Sequence, residues 1–152
     1  MQEIIPISWK NDALFILDQT KLPGKEEVLR LTHYSEVIEA IQTLRVRGAP
    51  AIGVAAGYGM ALAAINIGDV LDFNARFKEV AVQMINARPT AVNLSWAVNQ
   101  MLELCETTNN TSAVSSVILN EAIKIHQRDE EINKQMGSIG KEVLADVTSV
   151  LT

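Results

Sequence analysis

The sequence predicts a mainly α-helical bundle with a small N-terminal antiparallel β element, and three observations support this fold class. Short apolar runs around a Pro-Gly turn occupy the first thirty or so residues, and apolar residues at helical spacing occupy most of the rest. The third observation is the stretch from Gly48 to Gly68, which contains no charged side chain. A helix that is apolar on every side lies in a core or in a membrane, and the Gly, Pro and Asn residues of this stretch favour a buried core helix.

Composition places the chain among globular proteins. It has 152 residues, of which 48% are hydrophobic and 20% charged, and its formal net charge is −5. This length suits one domain with a sizeable core, and the negative charge argues against a general nucleic-acid binder. Cys105 is the only cysteine, so no internal disulfide can form and a cytoplasmic location is expected. Cys105, His33 and His126 do not have the spacing of a metal cluster.

The β element is predicted within residues 1–32. Pro23 and Gly24 form a turn signal between two apolar runs, which predicts a hairpin-like pair. Asp18 and Gln19 end the first run and are predicted to cap the turn, with a functional role as the alternative. The predicted strands, including a third candidate at the N-terminus, are Ile4–Ser8, Ala13–Leu17 and Val28–Leu31.

Helices are predicted throughout residues 35–146. Ser35 is predicted to cap the first helix, because its hydroxyl can accept from a first-turn amide. The central apolar helix is predicted to begin with Pro50, whose missing N–H would be unpaired at that position anyway. The same helix is predicted to end at Gly68, and the next to begin at Asp69 or Asp72.

Proline and glycine punctuate the later helices. Pro89 disfavours α geometry in the residue before it, so the third helix must stop at or before Arg88, which then lies on an extended kink. Asn93 is predicted to cap the fourth helix. Ser112 is predicted to open a long fifth helix that stops at Gly137.

The C-terminal residues predict a change of structure. A short helix is expected from Lys141 to Asp146, and residues 147–152 have β-branched strand character. We therefore divide the sequence into an N-terminal domain, residues 1–146, and the first strand of a further domain. A strand needs a partner, so the sequence is expected to be a piece of a longer protein.

Arg47 and Gly48 directly precede the central helix. Unpaired amides at a helix N-terminus, the positive end of the helix dipole and a guanidinium together form a favourable anion site. An arginine before a helix is also commonly a solvated surface residue. Both interpretations stay open on the residues alone.

Three segments together resemble a known enzyme family. They are Leu17–Pro23, Val46–Ala56 and Ala87–Leu94, which read LDQTKLP, VRGAPAIGVAA and ARPTAVNL. Their sequence, order and spacing resemble the N-terminal part of methylthioribose-1-phosphate isomerases. Related proteins are ribose-1,5-bisphosphate isomerases and the regulatory subunits of a translation-initiation guanine-nucleotide exchange factor.

The resemblance implies an aldose–ketose isomerisation in methionine salvage. Methylthioribose 1-phosphate would become methylthioribulose 1-phosphate without a nucleotide or metal cofactor. The phosphorylated sugar is expected to be bound by Arg47, Gly48 and Ala49 and by Arg88, the positions that match the family's substrate-binding motifs. A homodimer is expected for the full-length protein, with no nucleic-acid or membrane partner.

The resemblance also implies that this chain carries no catalytic residue. In the family the catalytic pair is a cysteine and an aspartate of a C-terminal Rossmann-like domain, and the cysteine follows a strand similar to Ser149–Thr152. That domain would therefore be missing after its first strand, residues 147–152, and the chain alone is expected to be inactive. Two alternatives stay open: a non-catalytic regulatory or scaffold subunit, and a sibling ribose-1,5-bisphosphate isomerase.

Overall fold

A computed structural model describes residues 5–108, 111–145 and 147–149. Its N-terminal part is an antiparallel sheet of three strands in sequence order, which confirms the predicted β element. The strands are β1 (Ile7–Lys10), β2 (Ala13–Leu17) and β3 (Val28–Leu31).

The connection between β1 and β2 is a tight two-residue turn. Asn11 and Asp12 have φ of 50° and 52°, the left-handed conformation that a type I′ hairpin turn requires. This turn pairs Lys10 with Ala13 and so sets the register of the hairpin. The first strand therefore begins at Ile7, three residues later than the start of the predicted strand Ile4–Ser8. Ile4 itself lies outside the described residues.

Within the described residues, five helices follow the sheet, and the fold is mainly helical as predicted. They are α1 (Tyr34–Gln42), α2 (Ala49–Ile67), α3 (Phe73–Ala87), α4 (Val92–Thr107) and α5 (Thr111–Val143).

Helix α2 is the centre of the core, as predicted. Every residue from Ile52 to Ala64 is buried, and the helix packs against all four other helices and against β1 and β2. The close approach depends on small residues, because a Cβ on Gly59 would lie 2.6 Å from the terminal methyl of Met84 and 3.0 Å from Val37. By length and composition α2 could cross a membrane, but 72% of its most apolar window is buried inside the bundle.

The start of α1 differs from the prediction. His33, not Ser35, is the N-cap residue, and its Nδ1 accepts from the amide of Ser35 at 3.3 Å. Glu36 reaches back and accepts from the amides of His33 at 2.8 Å and Thr32 at 2.7 Å. The reciprocal bonds with Glu36 fix the helix start two residues earlier than a serine-based prediction.

Packing also sets the start of α4. The N-cap residue is Ala91, and Asn93, predicted to be the cap, lies inside the first turn. Its backbone carbonyl contacts α2 at Gly53, so this contact, and not side-chain capping, fixes its position. In α2, Pro50 is the second helical residue, one later than predicted. The third helix follows Asp72 and ends at Ala87, as predicted.

Helix α5 is one continuous helix where the sequence predicted two. It passes through Gly137 and ends at Val143, which replaces both the predicted stop and a separate helix from Lys141. A glycine in a helix costs about 1 kcal/mol, which does not end a helix when no proline or positive φ accompanies it. Residues 147–149 have no regular structure, and residues 146 and 150–152 lie outside the described part, so the strand at 147–152 stays a prediction.

The two halves of α5 have different surroundings. In the first half, Val114, Ile118, Ala122 and Ile125 are buried against the bundle. The second half projects beyond the core, and its apolar residues recur at helical spacing on one exposed face: Ile132, Met136, Ile139 and Val143.

Candidate anion-binding site

The turn after α1 leads directly into the predicted site. Leu44 has φ 62°, the left-handed conformation that glycine usually adopts at a helix end. The amide of Arg45 donates to the carbonyl of Ala40 at 2.9 Å, and the amide of Leu44 donates to Ile41 at 3.3 Å. These two bonds form a Schellman motif, which reverses the chain and returns Val46 to the core.

A buried ion pair holds this turn against the sheet. Asp18, at the end of β2, has 0% exposure, and its Oδ2 pairs with Nη1 of Arg45. Its Oδ1 accepts from the amide of Thr20 at 3.0 Å and from the Thr20 hydroxyl at 2.6 Å, which confirms the predicted turn cap. The amide of Gln19 donates to the carbonyl of Arg45 at 3.0 Å. On the solvent side, Glu39 pairs with Nε of Arg45 at 3.2 Å.

The electrostatics of the pair follow from these contacts. Burial by itself would raise the pKa of Asp18, but the hydrogen bonds from Thr20 and the charge of Arg45 outweigh it and lower that pKa. Hydrogen bonds to Glu39 and Asp18 raise the pKa of Arg45. Asp18 is therefore a buried carboxylate that stays charged because its partners stabilise the ionised form.

The start of α2 is open to solvent. Gly48 is the N-cap residue, with φ 93° and ψ 131°, and no side chain bonds the first-turn amides. Arg47, Gly48, Ala49 and Pro50 are all exposed. Since Pro50 has no N–H, the first turn offers only the amides of Ala49 and Ala51 to a ligand ahead of the helix. Three of the four predicted site residues, Arg47, Gly48 and Ala49, thus form one exposed corner.

Arg88 lies in the connection between α3 and α4. It caps the C-terminus of α3 in an extended conformation, with φ −148°, and is half-buried. The amide of Ala91 donates to its carbonyl at 3.0 Å. Helix α4 also begins without a side-chain cap, because Ala91 is its N-cap residue. Among the described residues, neither Arg47 nor Arg88 forms an ion pair with a carboxylate.

Helices α2 and α4 run in the same direction. A Cβ on Gly53 would lie 3.0 Å from the carbonyl oxygen of Asn93, and one on Gly57 would lie 3.4 Å from the terminal methyl of Met101. The later residue of α2 approaches the later residue of α4, so the two helices are parallel. The N-termini of α2 and α4 therefore lie at the same end of the bundle. Two helix N-termini without side-chain caps therefore lie at one end of the bundle, and each has first-turn amides that can donate to an anion.

Two clefts flank the first turns of α2. One, of about 420 Å³, lies between α2, α4 and α5 and is lined by Pro50, Trp96 and Arg128 among others. The second, of about 460 Å³, lies between α2, α5 and the residues before β1, and His126 and Lys134 line it. A further cavity of about 530 Å³ lies by Asn66 at the opposite end of α2 and is remote from Arg47.

A buried tyrosine ties the sheet to α2 and α5. The ring of Tyr58 stacks on Trp9 with centroids 5.4 Å apart, and its hydroxyl lies 3.0 Å from Nδ1 of His126. Nε2 of His126 is 3.6 Å from Oε1 of Glu130. Burial, with a smaller effect of Glu130, raises the pKa of Tyr58 to about 12. The phenol therefore stays neutral, and its hydrogen bond serves packing in the described structure.

Cys105 is a packing residue of α4. It is buried on α4, and its Sγ donates to Oδ1 of Asn74 at 3.3 Å. Burial raises the pKa of its thiol, which disfavours the reactive thiolate.

Comparison with known proteins places this fold in a family. The family model described as the Initiation factor 2 subunit family, IF-2B, matches residues 45–152. The chain belongs to the IF-2B family. The matched region begins within the turn, at Arg45, and includes the exposed corner at Arg47 and both uncapped helix starts.

Curated IF-2B-like relatives of this chain are named as isomerases of phosphorylated sugars. This chain is 44% identical over 146 residues to the methylthioribose-1-phosphate isomerase of Carboxydothermus hydrogenoformans. The match covers 95% of this chain and 43% of that protein. It is 38% identical over 155 residues to the 5-deoxyribose 1-phosphate isomerase of Moorella thermoacetica, covering 99% of this chain and 44% of that protein. The chain thus spans less than half the length of these relatives.

Solved structures show that this IF-2B fold occurs in proteins of two kinds. The 5-methylthioribose 1-phosphate isomerase from Pyrococcus horikoshii superposes with a TM-score of 0.86 at 38% identity, over 91% of this chain and 40% of that one. The translation initiation factor eIF-2B subunit delta from A. fulgidus gives 0.85 at 36% identity, over 93% of this chain and 42% of that one.

Proposed function

We propose that this chain is the phosphosugar-binding N-terminal domain of an aldose–ketose isomerase that converts methylthioribose 1-phosphate to methylthioribulose 1-phosphate. The names of its curated relatives support this substrate class. The catalytic cysteine and aspartate belong to a further Rossmann-like domain, and the full-length protein acts in the cytoplasm as a homodimer in methionine salvage. The chain alone binds substrate and is inactive.

The observation that carries the proposal is the exposed, uncapped start of α2. Arg47 directly precedes the N-cap residue Gly48, the amides of Ala49 and Ala51 belong to the first turn, and the positive end of the helix dipole lies there. A phosphate group has the charge and the acceptor oxygens that these donors require. Arg47 is free for this role because Arg45, two residues earlier, binds the nearby carboxylates.

Arg88 and the cleft beside α4 bind the parts of the substrate other than the phosphate group in this proposal. Arg88 lies in the connection between α3 and α4 at the same end of the bundle, so it provides a second positive charge at this end. The cleft of about 420 Å³ is lined by the charged residues Arg128 and Asp129 and by the half-exposed Trp96. This mixed lining suits a sugar with hydroxyl groups on one part and an apolar methylthio group at its end.

The test is a titration of the chain with methylthioribose 1-phosphate, in which the melting temperature is measured at each ligand concentration. We expect the ligand to raise the melting temperature of the wild type and to have little effect on Arg47→Ala. Arg30→Ala is the matched control, because Arg30 is an exposed arginine on β3 and its loss changes the net charge equally. Equal ligand shifts in wild type and Arg47→Ala would rule out Arg47 as an anchor.

A regulatory or scaffold role is the second candidate, and the likeness to the eIF-2B delta subunit favours it. The same titration separates the two roles, because a scaffold subunit has no need to bind a sugar phosphate. A sibling sugar-phosphate isomerase is distinguished by the sugar. Ribose 1,5-bisphosphate and 5-deoxyribose 1-phosphate, used in parallel titrations, show which substrate the site binds most tightly.

A further inference from the structure

We propose that Asp18 is a positioning residue for the anion-binding turn, defined here as residues 44–48. The inference rests on the proposed function, because the turn is the segment that would present Arg47 and Gly48 to a phosphate. Asp18 is fully buried and cannot touch the ligand itself. It acts through Arg45, which it holds from the end of β2.

The end of β2 holds Arg45 at two points. Oδ2 of Asp18 pairs with Nη1 of the side chain, and the amide of the next residue, Gln19, donates to the Arg45 carbonyl at 3.0 Å. Side chain and backbone are thus fixed together. One residue, the buried Val46, separates this anchor from Arg47, so the direction in which Arg47 leaves the core depends on it.

The turn needs such an anchor because its own backbone is unfavourable. Leu44, at φ 62°, and Gly48, at φ 93°, are both in the left-handed region, which costs energy for leucine and is loosely defined for glycine. A segment bounded by two such residues has little intrinsic preference for one shape. The ion pair between Asp18 and Arg45 favours one conformation of the turn. A turn that is preorganised in this way binds an anion more tightly.

The two carboxylates that contact Arg45 differ in their exposure to water. Glu39 has 52% side-chain exposure, so water screens its attraction to the guanidinium. Asp18 has 0% exposure, and its attraction acts in a medium of lower dielectric constant. The two carboxylates therefore give a matched pair of variants on the same arginine.

The experiment compares Asp18→Asn with the wild-type chain in two measurements. The first is the affinity for methylthioribose 1-phosphate, measured at a temperature where every variant is folded. We expect Asp18→Asn to weaken it by roughly tenfold, the lower end of the loss seen when a group that orients a metal ligand is removed. The second is amide hydrogen exchange without ligand, where the amides of Gln19, Arg45 and Val46 are expected to exchange faster while those of α4 keep their rates.

Two controls separate positioning from a general loss of stability. Glu39→Gln removes the charge of the exposed partner of Arg45 and is expected to change both measurements less than Asp18→Asn does, because water screens this pair. Val80→Ala removes two methyl groups from the core face of α3, and we expect it to lower the melting temperature without weakening sugar-phosphate binding.

The inference is overturned if Asp18→Asn binds the sugar phosphate as tightly as the wild type, or if Val80→Ala weakens binding to the same extent. Unchanged exchange of the turn amides in Asp18→Asn also overturns it. Should the wild type not bind methylthioribose 1-phosphate at all, the proposed function fails. The exchange measurement then decides the positioning role by itself.

Discussion

Arg45 and Arg47 are two residues apart on the same turn, and their surroundings are opposite. Arg45 pairs with the buried Asp18 and the exposed Glu39, and its own side chain is only 29% exposed. Arg47 is exposed and has no carboxylate partner among the described residues. Two arginines of one short segment can therefore have different roles, one in stabilising the fold and one in binding a ligand. The first arginine fixes the backbone, and the second keeps its charge available for a ligand.

The largest effect expected from this comparison is on stability. Arg45→Ala leaves Asp18 buried without its cation, and breaking a buried pair in this way is strongly destabilising. We expect the melting temperature to fall by roughly 10 °C. Arg47→Ala is expected to change it by less than about 2 °C, because exposed side chains without partners contribute little to stability. Similar losses in the two variants would contradict the comparison.

A second, smaller effect is expected in acid. The folded pKa of Asp18 is lower than its unfolded value of about 3.9, so its contribution to stability is complete above pH 4 and is lost as the pH falls through the folded value. The difference in melting temperature between wild type and Asp18→Asn should therefore shrink below about pH 4. The difference between wild type and Arg47→Ala should stay constant, since Arg47 has no carboxylate partner in the described structure. Melts from pH 3 to 7 would measure both.

The smallest effect concerns the turn that carries both arginines. Leu44→Gly removes a left-handed leucine whose side chain is already 40% exposed. We expect the melting temperature to rise by about 2 °C, because glycine adopts this conformation without strain. If the strain at Leu44 also orients Arg47, the more stable variant will bind the sugar phosphate less tightly. A lower melting temperature would show that packing of Leu44 outweighs its strain.

The parts of the fold that the sequence predicted are those with a local signal. The apolar stretch of α2, the turn residues between β2 and β3, and the proline after Arg88 each specify their structure within a few residues. The corner formed by Arg47, Gly48 and Ala49 was predictable for the same reason, since a Gly-Ala-Pro sequence before an apolar run marks a helix start. Its role in binding stays a prediction that the titration tests.

The parts that were wrong or missed depend on partners far along the chain. Asp18 and Arg45 are 27 positions apart, and no spacing rule joins the end of a strand to a particular arginine of a later turn. Asn93 carries a capping side chain, yet its contact with Gly53 determines where it lies. The start of α1 was misplaced because histidine is an uncommon cap, although Glu36 at the third helical position gave a usable signal.

Helix α2 has no polar face that could be exposed to water, and it packs against the other four helices and against β1 and β2. Removal of any one neighbouring helix would expose its apolar surface, so its neighbours have little freedom to separate independently. We therefore expect the bundle to denature in a single transition, with no partly folded species in which the sheet or one helix has come away.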